Sequence, residues 1–129
     1  MPRCLVTAMA TLALAAPMFA AAQDARAIPI PVNTLRGEIA FGQPPEVQLN
    51  GKPARLAPGA RIKDPNNMLV LSGALAGGKH KVNYTVDTYG LLMDVWLLSK
   101  SEAAQLWPKT AEEAATWAYD PIQRIWRKP

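Results

Sequence analysis

Asn50-Gly51 restricts the fold of this chain more than any other pair of residues. The two inner positions of a tight β-hairpin turn need positive φ, which asparagine tolerates and glycine adopts freely. With residues 46–49 before it and 52–56 after it, the pair predicts an antiparallel hairpin. The surroundings keep the same rhythm, because short apolar runs alternate with turn residues from 35 to 99, the pattern of a small all-β unit. Residues 37–41 read as a first strand, and Gly42-Gln43-Pro44-Pro45 ends it because proline cannot donate to a ladder. Pro58-Gly59 predicts a turn before 60–63, and Asp64-Pro65-Asn66-Asn67 a loop. Residues 68–71 are continuously apolar and predict a strand buried on both faces or the start of a buried segment.

Residues 79–87 alternate cleanly, with Val82, Tyr84 and Val86 on one face and Lys81, Asn83, Thr85 and Asp87 on the other. In 91–98, Leu91, Met93, Val95 and Leu97 form one apolar face. The opposite face, Leu92, Asp94, Trp96 and Leu98, is too apolar for open water, so a cover is expected. Ser99-Lys100-Ser101-Glu102 has the spacing of a capping box, in which hydroxyl and carboxylate satisfy each other's backbone donors. A short helix should follow and stop at Pro108. Thr110-Ala111-Glu112-Glu113 starts a second helix through 114–119, its acids suiting the helix dipole. Leu106, Trp107, Trp117, Ile122 and Trp126 are expected to pack against the sheet.

Taken in order, Gly37-x-Ile39, Val47-x-Leu49-Asn50-Gly51, Arg55-Leu56-x-Pro58-Gly59-x-x-Ile62 and Leu71-x-Gly73 precede a closing strand pair. This succession resembles small exported bacterial proteins of unknown function with an OB-like barrel. The expected fold is therefore mainly β, a small OB-like barrel of about five or six strands with two short C-terminal helices packed on it. The shared positions are structural glycines, prolines and apolar residues, so the resemblance implies a fold and a compartment and assigns no catalytic group.

The compartment is also written at the N-terminus. Met1-Pro2-Arg3 supplies positive charge, residues 4–16 are apolar except for Thr7 and Thr11, and Pro17 breaks the run. Small residues Ala20 and Ala22 then suit a signal peptidase, which places the cut between Ala22 and Gln23; Ala25-Arg26-Ala27 repeats the pattern. The apolar run is shorter than the roughly 20 residues a bilayer core needs. The expected organisation is a signal peptide over 1–22, an extended arm over 23–34, a barrel over 35–99 and a helical extension over 100–129, with the protein exported to the periplasm or beyond and no transmembrane span in the mature chain. In the arm, Ile28-Pro29-Ile30-Pro31-Val32 favours a polyproline-like course. Cys4, the one cysteine, leaves with the leader, which excludes disulfides and thiolate chemistry from the mature domain.

Few residues remain for catalysis. His80, the single histidine, lies between Lys79 and Lys81, whose charge disfavours a protonated or metal-bound imidazole. Asp87 reads as a turn residue, and Asp94, on a strand face beside Trp96, is the less ordinary carboxylate. Ser99 and Ser101 read as helix-start residues, Gly77-Gly78 as a turn, and the sequon at Asn83 falls inside a strand. No cofactor and no metal are expected. The net charge of +4 is compatible with an anionic partner. Arg55, Arg61, Lys63, Lys79 and Lys81, with Tyr89 at a loop, are the candidate binding residues, for an envelope protein or an anionic glycan or lipid surface. Nucleic acid is not expected, because aromatic stacking platforms on a basic sheet face are missing from the pattern. The reading is a non-enzymatic exported binding or accessory module. The alternatives are a small envelope hydrolase or metal-handling protein centred on Asp94 or His80, and a structural accessory docking through its Trp-rich C-terminal segment.

Overall fold

The computed structural model describes Arg26 and residues 28–129; the expected leader and its expected cleavage residues, Ala22 and Gln23, lie outside the described residues. Strands β1 (Leu35–Phe41), β2 (Glu46–Leu49), β3 (Lys52–Lys63), β4 (Lys79–Val86) and β5 (Leu92–Leu97) are followed by helices α1 (Lys100–Ala104) and α2 (Ala111–Thr116) and by strands β6 (Ala118–Asp120) and β7 (Ile125–Arg127). The protein is mainly β, and its first five strands close into a barrel in the order β1-β2-β3-β5-β4. Every pairing is antiparallel except β3 with β5. This is the OB-like arrangement expected. Ile39, Phe41, Val47, Leu56, Ile62, Val82, Tyr84, Leu92, Val95 and Leu97 fill the interior.

The hairpin forms as the sequence predicts, with φ of 54° at Asn50 and 80° at Gly51. Asn50 also ties the turn to β1: its side-chain oxygen accepts from the Glu38 amide at 2.9 Å, and its own amide donates to the Glu38 carbonyl at 2.8 Å.

Pro58-Gly59 does not end a strand. It bends one long strand, β3, whose first part pairs with β2 and whose last part pairs with β5. The β3·β5 register shifts between Leu56 and Arg61, where Gly59 takes a φ of 78°. A strand that belongs to both halves of a small barrel must turn sharply, and an irregularity with a left-handed glycine permits it.

A second irregularity reverses the expected faces at the start of β5, while Val95 and Leu97 keep the core face as expected. Thr85 faces Asp94 and Val86 faces Leu92, which leaves Met93 unpaired against β4 as a bulge. Leu92 thereby joins Val95 and Leu97 in the core, while Met93 is exposed. Strict alternation assigns Leu92 to the other face, because one inserted residue inverts the order of faces. Val86, which alternation places on the same face as the buried Val82 and Tyr84, is exposed at the end of β4.

Residues 68–71 are not a buried strand. Leu69 makes a single bridge to Lys63, Val70 packs against the core, and Met68, Leu69 and Leu71 are 66%, 68% and 82% exposed. The closed barrel has no free edge to receive a sixth strand, so the segment is held only at its base. There Asp64 accepts the Asn66 and Met68 amides on Oδ1, and the Val70 amide donates to the Ile62 carbonyl.

Both helices begin where expected. Ser99 caps α1 through a complete capping box with Glu102, and Thr110 caps α2 by accepting from the Glu113 amide at 3.1 Å. The Ser99→Ala variant should lose about 1 kcal/mol of stability, read by urea unfolding, since one helix-start amide loses its acceptor. Neither helix buries a side chain of its own. The extension is seated instead by the residue pair between them. The Trp107 indole donates to the Thr34 carbonyl at 2.8 Å, and the Arg36 amide donates to the Pro108 carbonyl at 2.8 Å. Beyond α2 the chain forms the β6–β7 hairpin rather than more helix, with Arg124 in its connection at a φ of 56°. Trp107, Tyr119 and Trp126 meet there with ring centroids 5.3 to 6.2 Å apart. Leu106 and Ile122 are exposed rather than packed, and Trp117 is half-buried beneath the Lys128 ammonium at 5.4 Å.

Candidate binding cleft

Register carries Arg36 of β1 directly opposite Asn83 of β4, and Asn83 opposite Trp96 of β5, which faces Lys63 of β3. These four residues form a row across the barrel. Over its Arg36 end lies the chain that leaves α1, so Arg36 and Asn83, on the polar face of their strands, are buried. The Arg36 Nε donates to Asn83 Oδ1 at 2.7 Å, Nη1 to the carbonyls of Ala103 and Gln105 at 3.2 and 3.0 Å, and Nη2 to the Glu102 carbonyl at 3.2 Å. Asn83 donates in turn to the Thr34 hydroxyl at 3.0 Å. The guanidinium is thus held by neutral oxygens. Burial lowers its pKa from the ordinary arginine value, and the Glu102 carboxylate offsets only part of that effect.

Glu102 is already engaged with another arginine. Arg26 places Nε 2.6 Å from Glu102 Oε2 and Nη2 3.1 Å from Oε1; its Nη1 donates to the Asp64 carbonyl at 2.7 Å and to Asn67 Oδ1 at 3.2 Å, and Nη2 also donates to the Leu97 carbonyl. One side chain from the N-terminal arm therefore ties together the ends of β3 and β5 and the first turn of α1. The Arg26 side chain is only 2% exposed.

Between this clasp and the β6–β7 hairpin opens a cleft of about 460 Å³. Arg36, Arg26 and Glu102 belong to its charged lining, Pro29 and Ile30 come from the arm, and Trp107 and Tyr119 are aromatic. Ser101, Gln105, Gln123 and Arg124 add polar groups. Three arginines against one glutamate make the lining electropositive. Beside it, the Trp126 indole nitrogen is buried without a hydrogen-bond partner among the described residues.

The six residues expected to bind fall elsewhere and do not make one patch. Arg55, Arg61 and Lys63 are on β3, Lys79 and Lys81 on β4, and β5 lies between those strands. Arg55 pairs with Glu46 at 2.9 Å, Arg61 lies 3.7 Å from Asp94, and the Lys63 ammonium stands 5.9 Å from the Trp96 ring centroid. Lys79 and Lys81 face Ala40 and Glu38 of β1. Tyr89, 87% exposed, sits in the β4–β5 turn that Asp87 organises by accepting the Tyr89 and Leu91 amides. Exposed pairs of this kind contribute little to stability.

The residues weighed for chemistry are similarly occupied. Asp94 meets Arg61 and Thr85, His80 lies edge-on to Phe41 at 5.7 Å, and the sequon residue Asn83 is fully buried. Among the described residues no cluster of three or more His, Cys, Asp or Glu is placed to hold a metal, and no helix is long and apolar enough to cross a membrane. Trp107 and Trp126 are buried and pack with Tyr119 into a small core, and Trp107 and Tyr119 of that core line the cleft.

Sequence reasoning missed Arg26, Arg36, Tyr119 and Arg124. One signal was present: Arg36 and Asn83 share the polar faces of strands facing a Trp-rich extension, so a cover over that face would bury a charge. No protein-family model, curated protein or solved structure matches this chain.

Proposed function

We propose that this chain is a non-enzymatic binding or accessory module, exported to the periplasm or beyond, and that its working site is the cleft above Arg36. The observation that carries the reading is the state of that arginine: a buried guanidinium whose hydrogen bonds all end on neutral oxygens, at an open, partly aromatic cleft. A buried cation without its own counter-ion favours a partner that brings negative charge. A cleft of a few hundred Å³ with apolar walls and a few polar groups has the character of a small-ligand site.

Export with cleavage between Ala22 and Gln23 belongs to the same reading. The clasp supports it, since that cut keeps Arg26 in the mature chain, whereas a cut after Ala27 removes the side chain that joins α1 to the barrel. The test is to express the full precursor in a bacterial host, recover the exported protein, determine its N-terminus, and titrate it with fractionated envelope extract while following tryptophan fluorescence. The expected result is a mature chain starting at Gln23 and a saturable change that Arg124→Glu abolishes. A chain retained in the cytoplasm overturns the export reading, and a response identical in Arg124→Glu overturns the cleft.

A further inference from the structure

The chemistry of the cleft narrows its ligand. Its polar groups differ in what they have left to give. Arg26 and Glu102 are spent on each other and on the barrel. Arg36 uses four of its five N–H groups on protein oxygens and retains one on Nη2. Arg124 is exposed in the β6–β7 connection, and no bond to its guanidinium occurs among the described residues. The cationic groups available to a ligand are therefore one N–H at Arg36 and a fork at Arg124, donors whose chemistry suits a planar oxyanion such as a carboxylate.

The rest of the lining asks for a different kind of surface on the same molecule. Tyr119, half-buried and packed against the buried Trp107, supplies flat aromatic area, Pro29 and Ile30 an aliphatic wall, and Ser101, Gln105 and Gln123 neutral donors and acceptors. A pyranose ring combines those properties, since its C–H faces lie against aromatic rings while its rim of hydroxyls exchanges hydrogen bonds with amides and hydroxyls. A bare inorganic anion would leave the aromatic wall unused. A neutral sugar would leave Arg36 without a counter-charge.

We infer that the cleft binds an acidic saccharide, its carboxylate held by Arg124 and Arg36 and its ring set against Tyr119. This rests on the reading of the cleft as the working site and adds the class of ligand to it. Free sugar acids and the acidic units of a polymer share this chemistry, and length of the probe separates them.

The experiment is calorimetric titration of the purified protein with galacturonate, digalacturonate, galactose and inorganic phosphate, with Arg124→Ala and Tyr119→Ala as variants and circular dichroism to show that each is folded. Saturable binding of the two uronates, weakened about tenfold in Arg124→Ala, the equivalent of one charge-assisted hydrogen bond, is the expected result. Tighter binding of digalacturonate identifies polymer units, and equal binding identifies the free acid. Galactose or phosphate binding as well as the uronates overturns the inference, as does no uronate binding. If the uronates fail while envelope extract still produces the Arg124-dependent fluorescence change, the ligand class is wrong and the cleft stands. If both fail, both readings fall.

Discussion

Arg26→Ala should destabilise the protein by about 3 kcal/mol, the cost of opening a buried ion pair from one side, which leaves a carboxylate in the interior without its partner. The Arg26 and Glu102 side chains are 2% and 16% exposed, so the orphaned Glu102 recovers little hydration. The alanine also strands the carbonyls of Asp64 and Leu97, both of which accept from the same guanidinium. Urea unfolding of Arg26→Ala, Glu102→Gln and the double variant closes a double-mutant cycle. We expect a coupling above about 1 kcal/mol, because residues in direct contact and in one hydrogen-bond network do not behave additively. Additive losses would mean that the clasp is two independent attachments.

Asn83→Leu should cost about 3 kcal/mol by a different route. The replacement is close in volume and apolar, so no cavity is created; what disappears is the acceptor for Arg36 Nε and the donor to Thr34. Hydrogen bonds to charged groups are worth about 1.5–3 kcal/mol, and an unpaired buried donor adds its own desolvation. The companion variant Arg36→Met/Asn83→Leu removes the charge along with its partner, and it should recover much of the loss, as exchanging a buried polar set for packed apolar groups commonly does. A double variant less stable than Asn83→Leu alone would show that Arg36 contributes more by bridging α1 to β1 than it costs by being buried.

Much of the barrel was legible in the sequence. The turn at Asn50-Gly51, the bounds of β2 and the alternation of β4 follow from local rules, because backbone sterics and the two-residue period act within a few positions of one another. The errors share one cause, which is closure. Closure bends β3 at Pro58-Gly59 where an open sheet would have broken, inserts Met93 and so exchanges Leu92 for Met93 on the core face at the start of β5, and leaves residues 68–71 no edge to join. None of these is a property of the local stretch. The helix starts were readable from their caps, but the β6–β7 hairpin was not, since Ala118, Tyr119 and Asp120 lack a strand period and are held by pairing with Ile125, Trp126 and Arg127. The cleft was hidden for the same reason. The basic residues that stand out in sequence lie on solvated strand faces, whereas Arg26 and Arg36 matter because remote segments cover them.

The barrel interior is built from residues 39–97, while the lining of the cleft comes from residues 26–36 and 101–124. Barrel interior and cleft lining therefore draw on separate stretches of one chain, joined at a few polar contacts around Arg26 and Arg36. Substitutions at Gln123 or Arg124 alter the lining of the cleft without passing through the barrel core, and repacking within that core leaves the lining residues unchanged. If the cleft is the working site proposed above, such a division would let descendants of this chain diverge in ligand while inheriting the same scaffold.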